Sequence, residues 1–125
     1  MERESFDLIF FKLKAILQSF SPPFKITGNS EKSIDLYTTK EAELLGRKYP
    51  SVYFAGVKIK KGFVGFYYFP IYMYPELLEK FPPELKKCLK GKTCFHIKKD
   101  DAMIFQQINE ILKDGFAFYK KKNFI

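Results

Sequence analysis

The chain has 125 residues, of which 46% are apolar and 18% aromatic, and a formal charge of +8. That length suits one domain with a substantial core, and so aromatic a composition excludes a disordered or low-complexity chain. No apolar run approaches the ~18 residues of a membrane helix, so no membrane partner is expected. The opening MERESFDLIFFKLK carries Glu2, Glu4 and Asp7 and lacks a cleavable apolar region, unlike a signal peptide. A cytoplasmic location is therefore expected, with Cys88 and Cys94 as free thiols.

The charge is uneven. Residues 1–46 hold six basic and seven acidic side chains, while residues 47–125 hold sixteen and seven. A positive second half favours anionic partners: an anionic small molecule, an acidic protein surface or nucleic acid. Lysine dominates, and Arg3 and Arg47 are the only arginines. Specific base or phosphate recognition leans on the arginine fork, so nucleic-acid binding here would run through a sequence-independent lysine surface.

Along the chain, Glu2 to Phe20 reads as an amphipathic helix, with Phe6, Ile9, Phe10, Leu13, Ile16, Leu17 and Phe20 on one face. Ser21-Pro22-Pro23 stops it. Phe24–Thr27 and Ser33–Thr38 read as short strands around the turn Gly28-Asn29-Ser30. In the second, Ile34 and Leu36 share one face and Ser33, Asp35 and Tyr37 the other, as in a half-exposed strand near a sheet edge. Lys40–Lys48 reads as a short helical turn or loop. Ser51–Pro70, SVYFAGVKIKKGFVGFYYFP, is a long β-hairpin about Lys60-Lys61-Gly62 and the centre of the core. Apolar residues fall on both parities of its strands, which predicts cover on much of both faces.

Beyond Pro70, Ile71 and Tyr72 extend the strand. Short helices follow over Glu76–Phe81 and Pro83–Leu89, with Gly91 placed for a left-handed cap. Thr93–Ile97 is a fifth strand. Asp100 and Asp101 open a final helix whose stripe is Ile104, Ile108, Ile111, Leu112 and Tyr119. Gly115 lies on that stripe and either ends the helix or admits a close neighbour. The expected fold is α+β: an antiparallel sheet of about five strands packed with N-terminal and C-terminal helices.

Two stretches carry a family resemblance. They are Val52-Tyr53-Phe54-Ala55-Gly56-Val57, leading into the run that ends at Phe69-Pro70, and Leu89-Lys90-Gly91-Lys92-Thr93-Cys94-Phe95-His96-Ile97-Lys98. With the helix from Asp101 to Lys120, they resemble the YdhG-like family of small bacterial proteins, a domain of unknown function. The resemblance spans roughly Phe6 to Lys122. It implies a compact antiparallel sheet flanked by helices at both chain ends, and for some members the role of a frataxin-like iron chaperone. Ferrous iron in such a role prefers clustered oxygen ligands, and Glu2, Glu4 and Asp7 are the early acidic cluster.

The residues themselves offer little chemistry. Cys88, Cys94 and His96 are the soft-metal ligand types, three where a zinc site takes four, so neither a metal nor a cofactor is expected. Cys94 and His96 share a strand face, but nothing in the sequence orients a nucleophilic pair. The densest charge feature is Lys86, Lys87, Lys90, Lys92, Lys98 and Lys99, without an acid among them. The Gly91 turn sets backbone amides beside Lys90 and Lys92, and amides with ammonium groups hold phosphate or carboxylate. Tyr67, Tyr68, Phe95 and Tyr119 are candidates to line a pocket or stack on bases. The expectation is a non-enzymatic binding module, with Lys90, Lys92, His96 and Lys98 as the ligand contacts.

Overall fold

The computed structural model describes residues 2–44 and 46–125. Helix α1 runs from Glu2 to Gln18. The side chains of Glu2, Arg3 and Glu4 lie outside the described residues, so the early acidic cluster is not seen. Ile9, Phe10, Leu13 and Leu17 are buried as the periodicity requires, and Phe20 follows them just past the helix end. Strands β1 (Lys25–Thr27) and β2 (Ser33–Tyr37) pair antiparallel. Lys40–Lys48 departs from the expected helical turn: β3 (Ala42–Leu44) and β4 (Arg47–Tyr49) form a separate two-stranded ladder. The β4 side chains are exposed, so no apolar alternation marked the segment.

The long hairpin forms as expected from β5 (Tyr53–Lys60) and β6 (Phe63–Tyr68), with Lys60 opposite Phe63. Gly62, at φ 89°, takes the left-handed place in the turn. Pro70 ends the strand. Ile71 and Tyr72 do not extend it; they lie in the helical turn α2 (Pro70–Met73), whose first position suits the missing proline N–H. A 3-10 turn (Pro75–Lys80) and α3 (Pro83–Lys86) follow. Gly91 caps no helix. Leu89 bridges to Phe95, and Gly91, at φ 141°, lies in the loop that folds this segment back on β7 (Cys94–Ile97). Helix α4 (Ala102–Lys121) is capped by the Asp101 carboxylate, which accepts from the amides of Met103 at 3.0 Å and Ile104 at 3.3 Å.

The main sheet has the order β1-β2-β5-β6-β7, antiparallel throughout. Register fixes its two faces. Ile34, Val57, Phe66 and Phe95 lie across one row, and Leu36, Ala55 and Tyr68 across the next; all are buried. Helices α1 and α4 pack on this face within one core. The expectation of cover on both faces is corrected here. Parity is broken by a bulge instead: Leu36 pairs with Ala55 but Tyr37 with Tyr53, so Phe54 is the extra residue. The bulge turns Phe54 into the core beside Ala55. There it stacks on Phe24, with centroids 4.1 Å apart and planes at 7°, and meets Tyr119 edge-on. No helix among the described residues is long and apolar enough to cross a membrane.

Gly115 is where α4 is admitted to this cluster. A Cβ there would run into the Tyr68 hydroxyl and come within 3.0 Å of the Phe54 ring. Tyr68 cannot yield easily, because its hydroxyl donates to the Ile111 carbonyl at 2.6 Å. Gly115→Ala should therefore destabilise the fold by about 1–2 kcal/mol, overpacking outweighing the ~1 kcal/mol of helix propensity that alanine adds. Urea denaturation checks this, and an unchanged or raised midpoint would contradict the close packing.

Candidate functional site

Among the described residues, neither long helix packs on the second face of the sheet. Its rows follow from the same register. Lys25, Tyr37 and Tyr53 form the first, Asp35, Gly56, Tyr67 and Cys94 the second, and Ser33, Lys58, Gly65 and His96 the third. Lys60 and Phe63 close the far end. Apart from the two glycines, these side chains are half-buried or exposed.

The two glycines form the floor. The Tyr53 hydroxyl donates to Asp35 Oδ1 at 2.9 Å, and both groups crowd the space that a Cβ on Gly56 would need. Three atoms of the Tyr67 side chain, Cε2, Cζ and the hydroxyl, lie 3.1–3.2 Å from the position of a Cβ on Gly65. Near-equal distances mean that the ring lies flat over the glycine, with its other face outward. The Lys58 ammonium stands 5.9 Å from the centroid of that ring, the outer limit of a cation–π contact. Burial is the main cause that pushes the Tyr67 phenol up to about 12, with Cys94 and Asp35 adding to it. Phe63 and His96 stack in parallel at 3.7 Å. Phe69 and Tyr72 stack at 5.3 Å, and Phe69 meets Tyr53 edge-on.

Three of the four expected contact residues come together. Lys90, His96 and Lys98 line a cleft of about 380 Å³ between β7 and the start of α4, with Lys87, Glu84 and Asp101 in the same wall. Burial, then Lys98 and Lys90, push the His96 pKa below its ordinary value, so the ring is neutral near pH 7. Lys92 stands apart. It lines a different cleft, and its ammonium sits 5.9 Å from the Tyr72 ring. The amides of Met103 and Ile104 at the α4 start are taken by Asp101.

Cys88, Cys94 and His96 do not form a ligand set. No group of three His, Cys, Asp or Glu side chains that could hold a metal exists among the described residues. Cys94 lies beside Tyr67 on the open face, whereas Cys88 turns to the Glu84 carbonyl at 3.6 Å. Burial pushes both thiols up, which favours the unreactive protonated form. The His96 ring is stacked on Phe63, so the Cys94–His96 alternation yields no activated nucleophile.

Of the aromatic candidates, Tyr68, Phe95 and Tyr119 are core residues, and Tyr67 alone faces outward. Tyr37, Tyr53, Lys58, Lys60 and Phe63 were missed. The alternation of Ser33, Asp35 and Tyr37 marked one strand's outer face, but which residues stand beside them depends on the register across β5 and β6. No family model matches the chain, and neither a curated protein nor a solved structure does.

A titration checks the placement of Tyr67. Its folded pKa of about 12 lies above the usual phenol value, and Tyr53, Tyr68 and Tyr119 are raised too, each mainly by burial. The unfolded chain sheds these protons first, so their stabilising effect is full below about pH 10 and falls as the pH rises further. Melting temperatures should drop above that point. The phenolate absorbance lost in Tyr67→Phe should titrate near 12; a lost component near the ordinary value of about 10 would contradict the site.

Proposed function

We propose that the chain is a cytoplasmic, YdhG-like, non-enzymatic binding module that takes an anionic ligand on the open sheet face and the adjoining β7 rim. One observation carries the reading: the face on which neither long helix packs is bracketed by ammonium groups. Lys58 and Lys60 project from β5, and Lys90 and Lys98 stand beside His96 at the rim. Among the described residues, Asp35 is the one acid at the strand positions of that face, and Tyr53 already donates to it. A phosphate or carboxylate there meets several charge-assisted donors. An acidic protein surface would meet the same groups. Catalysis is not part of the proposal, because the thiols are held protonated and the histidine is stacked. No observation favours the iron-chaperone role.

Thermal shift with inorganic triphosphate tests the proposal. At one hundred times its dissociation constant the ligand should stabilise by about 2.7 kcal/mol, a rise of several degrees for a domain of this size. Added salt should weaken the effect, since exposed charges are screened. The double variant Lys90→Ala/Lys98→Ala should lose most of it. No shift at low salt with triphosphate, polyphosphate or citrate would refute the reading.

A further inference from the structure

We infer that the open sheet face is a stacking platform for single-stranded nucleic acid, with a base lying on the outward face of Tyr67 and phosphates held by Lys58 and Lys60. The inference rests on the anion-binding reading and gives its ligand a class. An anion alone would need only the lysines. The rings are what demand a planar partner.

Four features point the same way. Tyr67 lies flat over Gly65, within 3.1–3.2 Å of where a Cβ would be, so its free face points away from the sheet. A side chain at that position would tilt the ring, and the glycine removes that obstacle. Second, the rings around it are only half-buried: Tyr37 and Tyr53 lie tilted at 5.1 Å, and Phe63 stacks with His96. An aromatic face left in water gains by accepting a base, and stacking is sequence-tolerant because every base has a π-face. Third, cations accompany the rings. Lys58 stands over Tyr67 on a flexible stem that can swing from ring to phosphate. Lys60, at the end of β5 opposite Phe63, lies near enough to the face for its charge to act on the Cys94 thiol. Fourth, the one acid has an acceptor role to play. Asp35 Oδ1 accepts a hydrogen bond from the Tyr53 hydroxyl, and a carboxylate oxygen is a natural acceptor for a base amino group.

A duplex fits poorly. Its bases are already stacked on one another, so only its phosphates could be engaged. An acidic peptide would use the lysines and leave the Tyr67 face bare. Single-stranded nucleic acid uses both.

The test is fluorescence anisotropy with a dye-labelled oligothymidylate of about 12 nucleotides, a length within the site range of single-strand binders. Inorganic polyphosphate, which carries the charge without bases, is the competitor. The wild-type protein should bind the oligonucleotide. Tyr67→Ala should weaken that binding by roughly tenfold or more while leaving polyphosphate affinity unchanged. Tyr67→Phe keeps the ring and should bind like wild type. Tyr37→Ala, away from the Gly65 floor, should also weaken the oligonucleotide selectively. Lys58→Ala should lower the slope of log affinity against log salt by about one. The protein has no tryptophan, so quenching of its tyrosine emission by the oligonucleotide, and not by polyphosphate, gives a second readout. The inference is overturned if Tyr67→Ala and Tyr37→Ala bind the oligonucleotide as well as wild type, or if they lose polyphosphate equally. If polyphosphate binds and the oligonucleotide gains nothing from its bases, the anion-binding reading stands alone. If neither binds at low salt, both fall.

Discussion

The structure depends on the bulge that sets Tyr53 and Phe54 against Tyr37. An extra residue in one strand lets two successive side chains lean the same way. Phe54 joins Ala55 on the inner face, and around it gather Phe24, Tyr68 and Tyr119. Such pairs contribute about 0.5–1.5 kcal/mol each beyond their burial. The Tyr119 hydroxyl then donates to the Tyr53 carbonyl at 2.7 Å, tying α4 to the bulge itself. Gly115 lets the helix come that close. Phe54, Phe66 and Tyr68 of the hairpin are thereby buried on one side, and both long helices pack there.

What remains on the other side is a different kind of surface. The Tyr67 ring lies over Gly65, the Tyr53 hydroxyl and the Asp35 carboxylate close over Gly56, and the rims carry lysines. Burial pushes the Cys94 thiol, and that of Cys88, toward the protonated form, and the His96 ring lies stacked on Phe63. The β7 rim and the sheet face are continuous through His96, which lines the cleft with Lys90 and Lys98 while its ring lies on Phe63. Lys92, on the opposite side of the Gly91 loop, serves Tyr72 instead.

Much of the fold was legible in the sequence because its signals are local. The stripe of α1, the Asp101 cap, the Lys61-Gly62 turn and the alternation of β2 each need only a few neighbouring residues. The β3–β4 ladder escaped because Arg47, Lys48 and Tyr49 are exposed and show no apolar alternation. The bulge escaped because Phe54 looks like any strand aromatic until its partner strand is aligned. The same reason divides the site. Lys90, His96 and Lys98 are close in sequence, and their grouping could be read from it. The platform of Tyr37, Lys58 and Tyr67 exists only through the pairing of three strands, and Gly65 gains meaning only from the ring above it.

The one-sided sheet makes its sharpest statement at two adjacent residues. Tyr67 and Tyr68 are the same side chain in the same strand, one facing solvent and the other 1% exposed in the core. Hydroxyl-radical footprinting read by tandem mass spectrometry distinguishes them directly. The account predicts oxidation of Tyr67, with Tyr37 and Tyr72, and protection of Tyr68 and Tyr119. Equal oxidation of Tyr67 and Tyr68, or protection of Tyr67 in the free protein, would contradict it.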